Sequence, residues 1–178
     1  MPVQRSSQQL TLHSFGEISR FLREDVADDE SRQLRESLGA LSEQIDSVVR
    51  IRRTSTDTAD IIQGVEALAA CIREHQFFIS GLGSGWHGLY EFGSYQGALR
   101  ELRRALDQWQ QTLQRRSSRE RDSFDAFELL AWRTLGEALL LIDMYEQGGH
   151  LSSELPGPHV DPAGAVTRML GWLGRWRR

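Results

Sequence analysis

The amino-acid sequence predicts an all-α protein: an antiparallel core like a four-helix bundle, a short N-terminal helix and a C-terminal amphipathic helix. Apolar residues recur at spacings of three and four in five or six stretches, and the strict alternation typical of strands nowhere extends far. Four of these stretches have similar lengths of about 25 residues. Helices of matching length, joined by short polar turns, are expected to pack side by side.

The first two helices are predicted from their capping residues. Ser14 and Glu17 have the spacing of a capping box, and a short apolar face follows them. The acidic run 28–30 favours a second helix from Asp29 to about Arg53. Its apolar seam is narrow, so we expect this helix to lie at the edge of the bundle or to pair with its own copy in a homodimer. The seam comprises Leu34, Leu38, Leu41, Ile45 and Val48.

Three more long helices follow in the sequence. The third follows the polar turn 54–57 and ends near Ser80, the fourth starts at about Ser94, and the fifth begins near Asp122. The second half of the fifth helix is apolar nearly all round, which predicts a central position.

The chain is expected to divide into a helical bundle domain over residues 1–147, with 1–13 flexible, a Gly/Pro linker over 148–162 and an amphipathic helix over 163–178. A glycine-rich loop is also predicted between the third and fourth helices, from Gly81 to Gly93.

The composition excludes several enzyme classes. All 21 basic residues are Arg, which codon bias in a GC-rich genome explains, and the absence of Lys excludes aldolases, pyridoxal enzymes, P-loop NTPases and ordinary kinases. Cys71 is the only cysteine and lies in an apolar helical stretch, so we interpret it as a buried hydrophobic residue without a disulfide or cysteine zinc site.

The hydropathy pattern favours a cytoplasmic protein of a bacterium, a phage or a mobile element, since no apolar run reaches the length of a membrane span and the N-terminus is polar. The net charge is −4, although the last fifteen residues carry four Arg and no acid. An acidic body argues against a general nucleic-acid binder.

The segment Gly83–Gly88 is a literal GxGxxG motif. A dinucleotide site needs a preceding strand and a parallel sheet, which the sequence does not predict, and Trp86 would crowd the phosphate. We therefore interpret the motif as an inter-helix loop held by its aromatic residues and expect no cofactor.

Metal and nucleophile chemistry have weak candidates. His75, His87 and Glu91 would be the residues of an enzyme site, with His87 and Glu91 on one face if that stretch is helical, but HExxH and HxH are both absent, so we expect no metal. No GxSxG motif supports a serine nucleophile. Glu128, Glu137 and Asp143 lack the Glu-x-x-His partners of di-iron bundles and are expected on the solvent side or at helix edges.

Arginines are concentrated on the fourth helix and the turn after it. This segment contains seven Arg and three acidic residues, which gives it a net charge of +4. Guanidinium groups bind the carboxylates of a protein partner as well as phosphates. The residues concerned are Arg100, Arg103, Arg104, Arg115, Arg116, Arg119 and Arg121.

These observations predict a non-enzymatic helical module that binds another protein as an adaptor or inhibitor, for example an anti-defence protein of a phage or mobile element. The alternative is a helical subunit of a nucleoprotein complex that contacts phosphate through its arginines, and an enzyme ranks third. The C-terminal helix either closes the bundle or binds a partner or membrane surface. The predicted partner-binding residues are Trp86, His87, Tyr90, Phe92, Arg103, Arg104, Trp172, Arg175 and Trp176.

Overall fold

The computed structural model describes residues 14–23 and 28–148, of which 86% are helical. This part of the chain contains six helices and no strand, which confirms the predicted all-α fold. The predictions for residues 1–13, 149–162 and 163–178 lie outside the described residues. The helices are α1 (Phe15–Leu22), α2 (Asp29–Thr54), α3 (Thr58–Ser80), α4 (Ser84–His87), α5 (Tyr90–Gln114) and α6 (Glu120–Glu146).

The four long helices form a closed bundle. α2 packs on α3, α3 on α5, α5 on α6, and α6 back on α2. Short connections make successive helices antiparallel. The short helix α1 packs on α2, and the Phe15 ring stacks on Trp132 of α6 at a centroid distance of 4.2 Å. The prediction that the second helix lies at the edge is therefore wrong, because α2 contacts α1, α3 and α6.

Side-chain caps fix the starts of three helices. Ser14 accepts from the Glu17 amide at 3.2 Å, as the capping-box pattern predicted. Asp28 accepts from the Ser31 amide at 2.7 Å, and Asp57 accepts from the Ala59 amide at 2.8 Å. These contacts satisfy amides that a helix start leaves without a partner.

The core follows the predicted apolar faces. The five seam residues of α2 are each at most 1% exposed, and most of the central part of α6 is buried. A homodimer formed through the α2 seam would therefore have to open the bundle. Because the seam is already covered, a dimer needs another surface.

Two bidentate ion pairs join α2 to its antiparallel neighbour α6. Arg35 donates to both oxygens of Glu146, with each N···O distance 2.8 Å. Near the other end, Arg52 donates to both oxygens of Glu120 at 2.7 and 2.6 Å. Each pair is at most one third exposed, so the two ends of this helix pair are held in register.

The prediction of an irregular loop from Gly81 to Gly93 is wrong in its extent. Within that range, residues 84–87 form α4, and α5 already begins at Tyr90 instead of near Ser94. The GxGxxG motif follows the end of a helix, because residues 77–80 belong to α3. At Gly83, a Cβ atom would lie 3.0 Å from the Glu30 carboxylate, which explains one glycine of the motif by packing.

Candidate functional site

Trp86 was predicted as an exposed partner-binding residue, and that exposure is wrong. Its side chain is 0% exposed and lies flat on the Tyr145 ring, with centroids 3.5 Å apart and planes 7° from parallel. Its indole N–H donates to Glu30 at 3.0 Å. A buried ring with a satisfied N–H is a packing residue that holds α4 against the start of α2 and the end of α6.

The other residues of the glycine-rich segment divide between core and surface. Phe92 is 2% exposed and belongs to the core, so its predicted exposure is also wrong. His87 is exposed beside the Phe92 ring at a centroid distance of 4.5 Å. Tyr90 is 69% exposed. His87 and Tyr90 therefore remain available to a partner, whereas Trp172, Arg175 and Trp176 lie outside the described residues.

His75 connects three helices from inside the bundle. Its Nδ1 lies 2.6 Å from the Ser37 hydroxyl on α2, and its Nε2 contacts the Tyr95 hydroxyl on α5. Burial lowers the pKa of His75 to about 4 and raises the pKa of Tyr95. A histidine with so low a pKa is a weak general base at neutral pH, and Tyr95 occupies its second nitrogen. The arrangement acts as a hydrogen-bonded tie between helices.

The other residues considered for an enzyme or metal site do not converge. The helix is interrupted between His87 and Glu91, so the face assumed for that pair does not form. Glu137 is buried, which contradicts its predicted solvent-side position, and burial together with Glu91 raises its pKa against the opposing effect of Arg133. Among the described residues no group of three potential metal ligands occurs.

The arginines of α5 and the following turn, which the sequence analysis singled out, lie close together in the structure. All three acids counted among them are already engaged: Glu101 by Arg133, Asp107 by Arg103 and Glu120 by Arg52. The predicted contact residue Arg103 is thus paired within its own helix. The rest form what we call the arginine surface, exposed and without an ion pair in the described part of the chain: Arg100, Arg104, Arg115, Arg116, Arg119 and Arg121.

Part of this surface belongs to one exposed face of α5, the outer stripe. Its residues follow one another at spacings of three and four and run nearly the whole length of the helix, about 38 Å at 1.5 Å per residue. All are exposed except Gly97, which is intermediate. The outer stripe consists of Tyr90, Gly93, Gly97, Arg100, Arg104, Gln108, Gln111 and Arg115.

Two glycines of the outer stripe have no packing explanation within the described structure. A Cβ atom added at Gly93 or Gly97 would meet nothing within 4 Å. Glycine in a helix interior costs roughly 0.5–1 kcal/mol relative to alanine. The pair leaves a bare strip of backbone between Tyr90 and Arg100 that another molecule can approach closely.

The turn after α5 carries an arginine in a conformation that favours glycine. Arg116 has φ 48°, and the amides of Arg116 and Ser117 donate to Leu113 and Thr112 in the pattern of a Schellman motif. A residue with a Cβ atom in this conformation costs about 1 kcal/mol or more. The Schellman hydrogen bonds therefore hold Arg116 in a conformation that an arginine adopts at a cost in stability.

The end of α5 and the start of α6 form an open cleft of about 460 Å³. Arginines, hydroxyls and amides dominate its lining, which is Arg104, Asp107, Gln108, Gln111, Thr112, Arg115, Ser117, Arg119 and Ser123. Sequence reasoning found the arginines and missed the cleft. The helical spacing of Arg104, Gln108, Gln111 and Arg115 was a signal for one shared face, but the position of Ser123 depends on how α6 packs.

No protein-family model, curated protein or solved structure matches the chain. Among the described residues, no helix is long and apolar enough to cross a membrane.

Proposed function

We propose that the protein is a non-enzymatic helical binding module that docks an acidic surface of another protein on the outer stripe of α5 and the adjoining turn. The observation that carries the proposal is that six neighbouring arginines have no ion pair in the described structure, while the three acids counted among them are paired. Guanidinium forks left in this state favour carboxylates on a partner.

The stripe has further features of a docking surface. Tyr90 is a large exposed aromatic residue at one end, and tyrosine and arginine are the residue types enriched at interfaces. Gly93 and Gly97 permit close approach of a partner backbone next to it. Because the stripe lies on a long helix packed in the bundle, its side chains are presented without an ordering step.

Docking of this kind suits an adaptor or an inhibitor, including one encoded by a phage or mobile element, because both act by occupying a surface of their partner. The C-terminal residues Trp172, Arg175 and Trp176 remain a proposed second contact, with aromatic and arginine side chains of the same types.

The test compares two triple variants with equal changes in net charge. The stripe variant carries Arg100→Gln, Arg104→Gln and Arg115→Gln. The scattered control variant carries Arg20→Gln, Arg50→Gln and Arg73→Gln, which are exposed arginines of α1, α2 and α3. Tagged proteins are used to capture partners from the native host, and the captured proteins are quantified by mass spectrometry after nuclease treatment.

We expect the wild type and the scattered control variant to enrich the same protein and the stripe variant to lose it by at least about tenfold, provided circular dichroism shows all three folded. Equal enrichment by all three proteins contradicts the proposal.

The second candidate is docking on nucleic acid, and the excess of unpaired arginines favours it too. Phosphate contacts make affinity fall steeply with salt, whereas a protein interface with an aromatic anchor is less sensitive. Fluorescence anisotropy with a labelled 30-nucleotide single strand and the matching duplex, between about 50 and 200 mM NaCl, distinguishes the two. Binding that falls by about 10³-fold over that range and is lost in the stripe variant supports the nucleic-acid function.

A further inference from the structure

The cleft between α5 and α6 has a chemistry of its own within the arginine surface. Arg104 and Arg115 enter it from α5, and Arg119 enters from the start of α6. The cleft volume of about 460 Å³ falls in the range of small-molecule sites. Three guanidinium groups, from the end of α5 and the start of α6, therefore line a cleft that is larger than a single anionic group needs.

The hydroxyl groups of the cleft provide a second, independent observation. Ser123 lines the cleft, and its hydroxyl group makes no hydrogen bond to another described residue. Because no buried side-chain polar atom of the described residues lacks a partner, this hydroxyl is accessible from the cleft and free to donate to a ligand. The Ser117 hydroxyl oxygen accepts from the Arg119 amide at 3.2 Å, which leaves its own proton free to donate.

The start of α6 adds the positive end of a helix dipole, which the acidic side chains of Glu120 and Asp122 in its first turn oppose. Its N-cap is Arg119, which provides no side-chain cap, so the cleft faces a helix start without the usual hydroxyl or carboxylate at that position. Two carboxylates oppose an anion. Asp107 lines the cleft but is held by Arg103 at 3.0 Å, and Asp122 lines the adjoining cavity beside Arg119.

We infer that this cleft binds the phosphate group of a phosphate monoester. A phosphate carries up to two negative charges and three acceptor oxygens, which matches three guanidinium forks and two hydroxyl donors better than a single carboxylate does. The adjoining cavity of about 170 Å³, between Ala105 and Ala126, has room for a small organic part of the ester. The cleft shares Arg104 and Arg115 with the outer stripe, but phosphate binding is measured without a partner protein, so its failure and the failure of protein docking are distinguishable.

The experiment titrates the full-length protein with inorganic phosphate and with O-phosphoserine in phosphate-free buffer, using isothermal calorimetry, with serine and glutamate as uncharged and carboxylate controls. We expect saturable binding of both phosphates with Kd of about 1 mM or tighter, and binding of glutamate at least about tenfold weaker. No saturable phosphate binding up to about 20 mM, or glutamate binding as tight as O-phosphoserine, overturns the inference.

Three variants locate the site. Arg119→Gln and Ser123→Ala should each weaken phosphate binding by about tenfold, since each removes a hydrogen bond to a charged group. Arg73→Gln is the matched control, because Arg73 is an exposed arginine of α3 that neither lines the cleft nor belongs to the outer stripe, and it should leave the Kd unchanged. Equal weakening in all three variants shows a diffuse charge effect and overturns the site.

A final comparison separates the two sources of a phosphate ester. A decapeptide containing phosphoserine is titrated beside free O-phosphoserine and beside the same peptide with glutamate at that position. Tighter binding of the phosphopeptide by about tenfold or more shows that a protein partner provides the phosphate, and equal Kd values show a small-molecule ligand. Each result supports the phosphate site, whereas equal affinity for the phosphopeptide and the glutamate peptide contradicts it.

Discussion

Two aromatic residues four positions apart have opposite surroundings, and a pair of substitutions separates them. Trp86→Ala removes a fully buried indole together with its stacking on Tyr145 and its hydrogen bond to Glu30. We expect this change to lower the free energy of unfolding by about 3–5 kcal/mol, measured by urea unfolding with circular dichroism. Tyr90→Ala, at a 69% exposed position, should change it by less than about 0.5 kcal/mol. A similar small effect at both positions contradicts the packing role of Trp86.

His75 predicts a dependence of stability on pH. Its pKa is lowered by burial from 6.5 to about 4 in the folded protein, so the unfolded chain binds its proton at a higher pH than the folded chain does. The stabilisation is therefore complete above about pH 6.5 and is lost as the pH falls towards 4. Between pH 7 and pH 4.5 we expect a loss of about 2 to 3 kcal/mol in the free energy of unfolding.

The control for this prediction uses a second histidine. His75→Gln, which is neutral at every pH, should abolish the pH-dependent loss, while His87→Gln, at an exposed position, should keep it. Glu120 and Glu146 do not produce the loss in this range. Burial raises the pKa of each, but hydrogen bonds from Arg52 and Arg35, respectively, outweigh it, so their contributions disappear only below about pH 4.5. An unchanged pH profile in His75→Gln contradicts the assignment.

Sequence reasoning at the residue scale succeeded where the signal was local. Ser14 at a helix start was predicted because its cap contact is with a residue three positions away. Trp86 was misplaced because its partners, Glu30 and Tyr145, lie more than fifty positions away in either direction. A glycine-rich segment indicates that the backbone can adopt many conformations. It does not indicate which neighbouring side chains are buried, because burial depends on contacts with distant residues.

At the scale of elements, the outer stripe of α5 predicts a conflict between stability and binding. Gly93→Ala and Gly97→Ala place a Cβ atom in open space and improve helix propensity. We expect the free energy of unfolding of the double variant to be about 1–2 kcal/mol higher than that of the wild type. We also expect the double variant to capture less of the partner protein. Gly64→Ala is the matched control for a glycine substitution away from the outer stripe. Its Cβ atom would lie against Val48 of α2 at 3.4 Å, so it should leave capture of the partner unchanged. Higher stability with unimpaired capture would show that the glycines have no part in docking.

The element boundaries also show what a sequence can predict. The starts and ends predicted for α2 and α3, and the starts predicted for α1 and α6, lie within about two residues of expectation, because they depend on caps and on the period of apolar residues. The start of α5 was placed four residues late, since Gly93 interrupts the pattern without ending the helix. The ion pairs that hold α2 to α6 could not be predicted, because each joins residues separated by 68 or 111 positions.

At the scale of the whole molecule, acidic residues gather at one end of the bundle, and exposed arginines gather in the turn at the other end. The start of α2 and the end of α6 share one end, with Asp28, Asp29, Glu30, Asp143 and Glu146. The opposite end, where α5 leads into α6, has Arg115, Arg116, Arg119 and Arg121, together with the acids Glu120 and Asp122. A net charge of −4 is therefore compatible with a local group of exposed arginines that can orient the molecule as it approaches an acidic partner.

This local group of arginines predicts that the protein binds a cation-exchange resin at pH 7 in spite of its net negative charge. The stripe variant and the scattered control variant both lose three positive charges, so a difference between them reports where the charges lie. We expect the stripe variant to elute at about 50 to 100 mM lower NaCl than the scattered control variant, because a resin, like a partner, binds the surface of highest local potential. The four arginines of residues 164–178 are present in all three proteins, so they shift every elution equally. Co-elution of the two variants would show that retention comes from those terminal arginines or from charge spread over the surface. That result would contradict the prediction that the arginine surface is the dominant positive region.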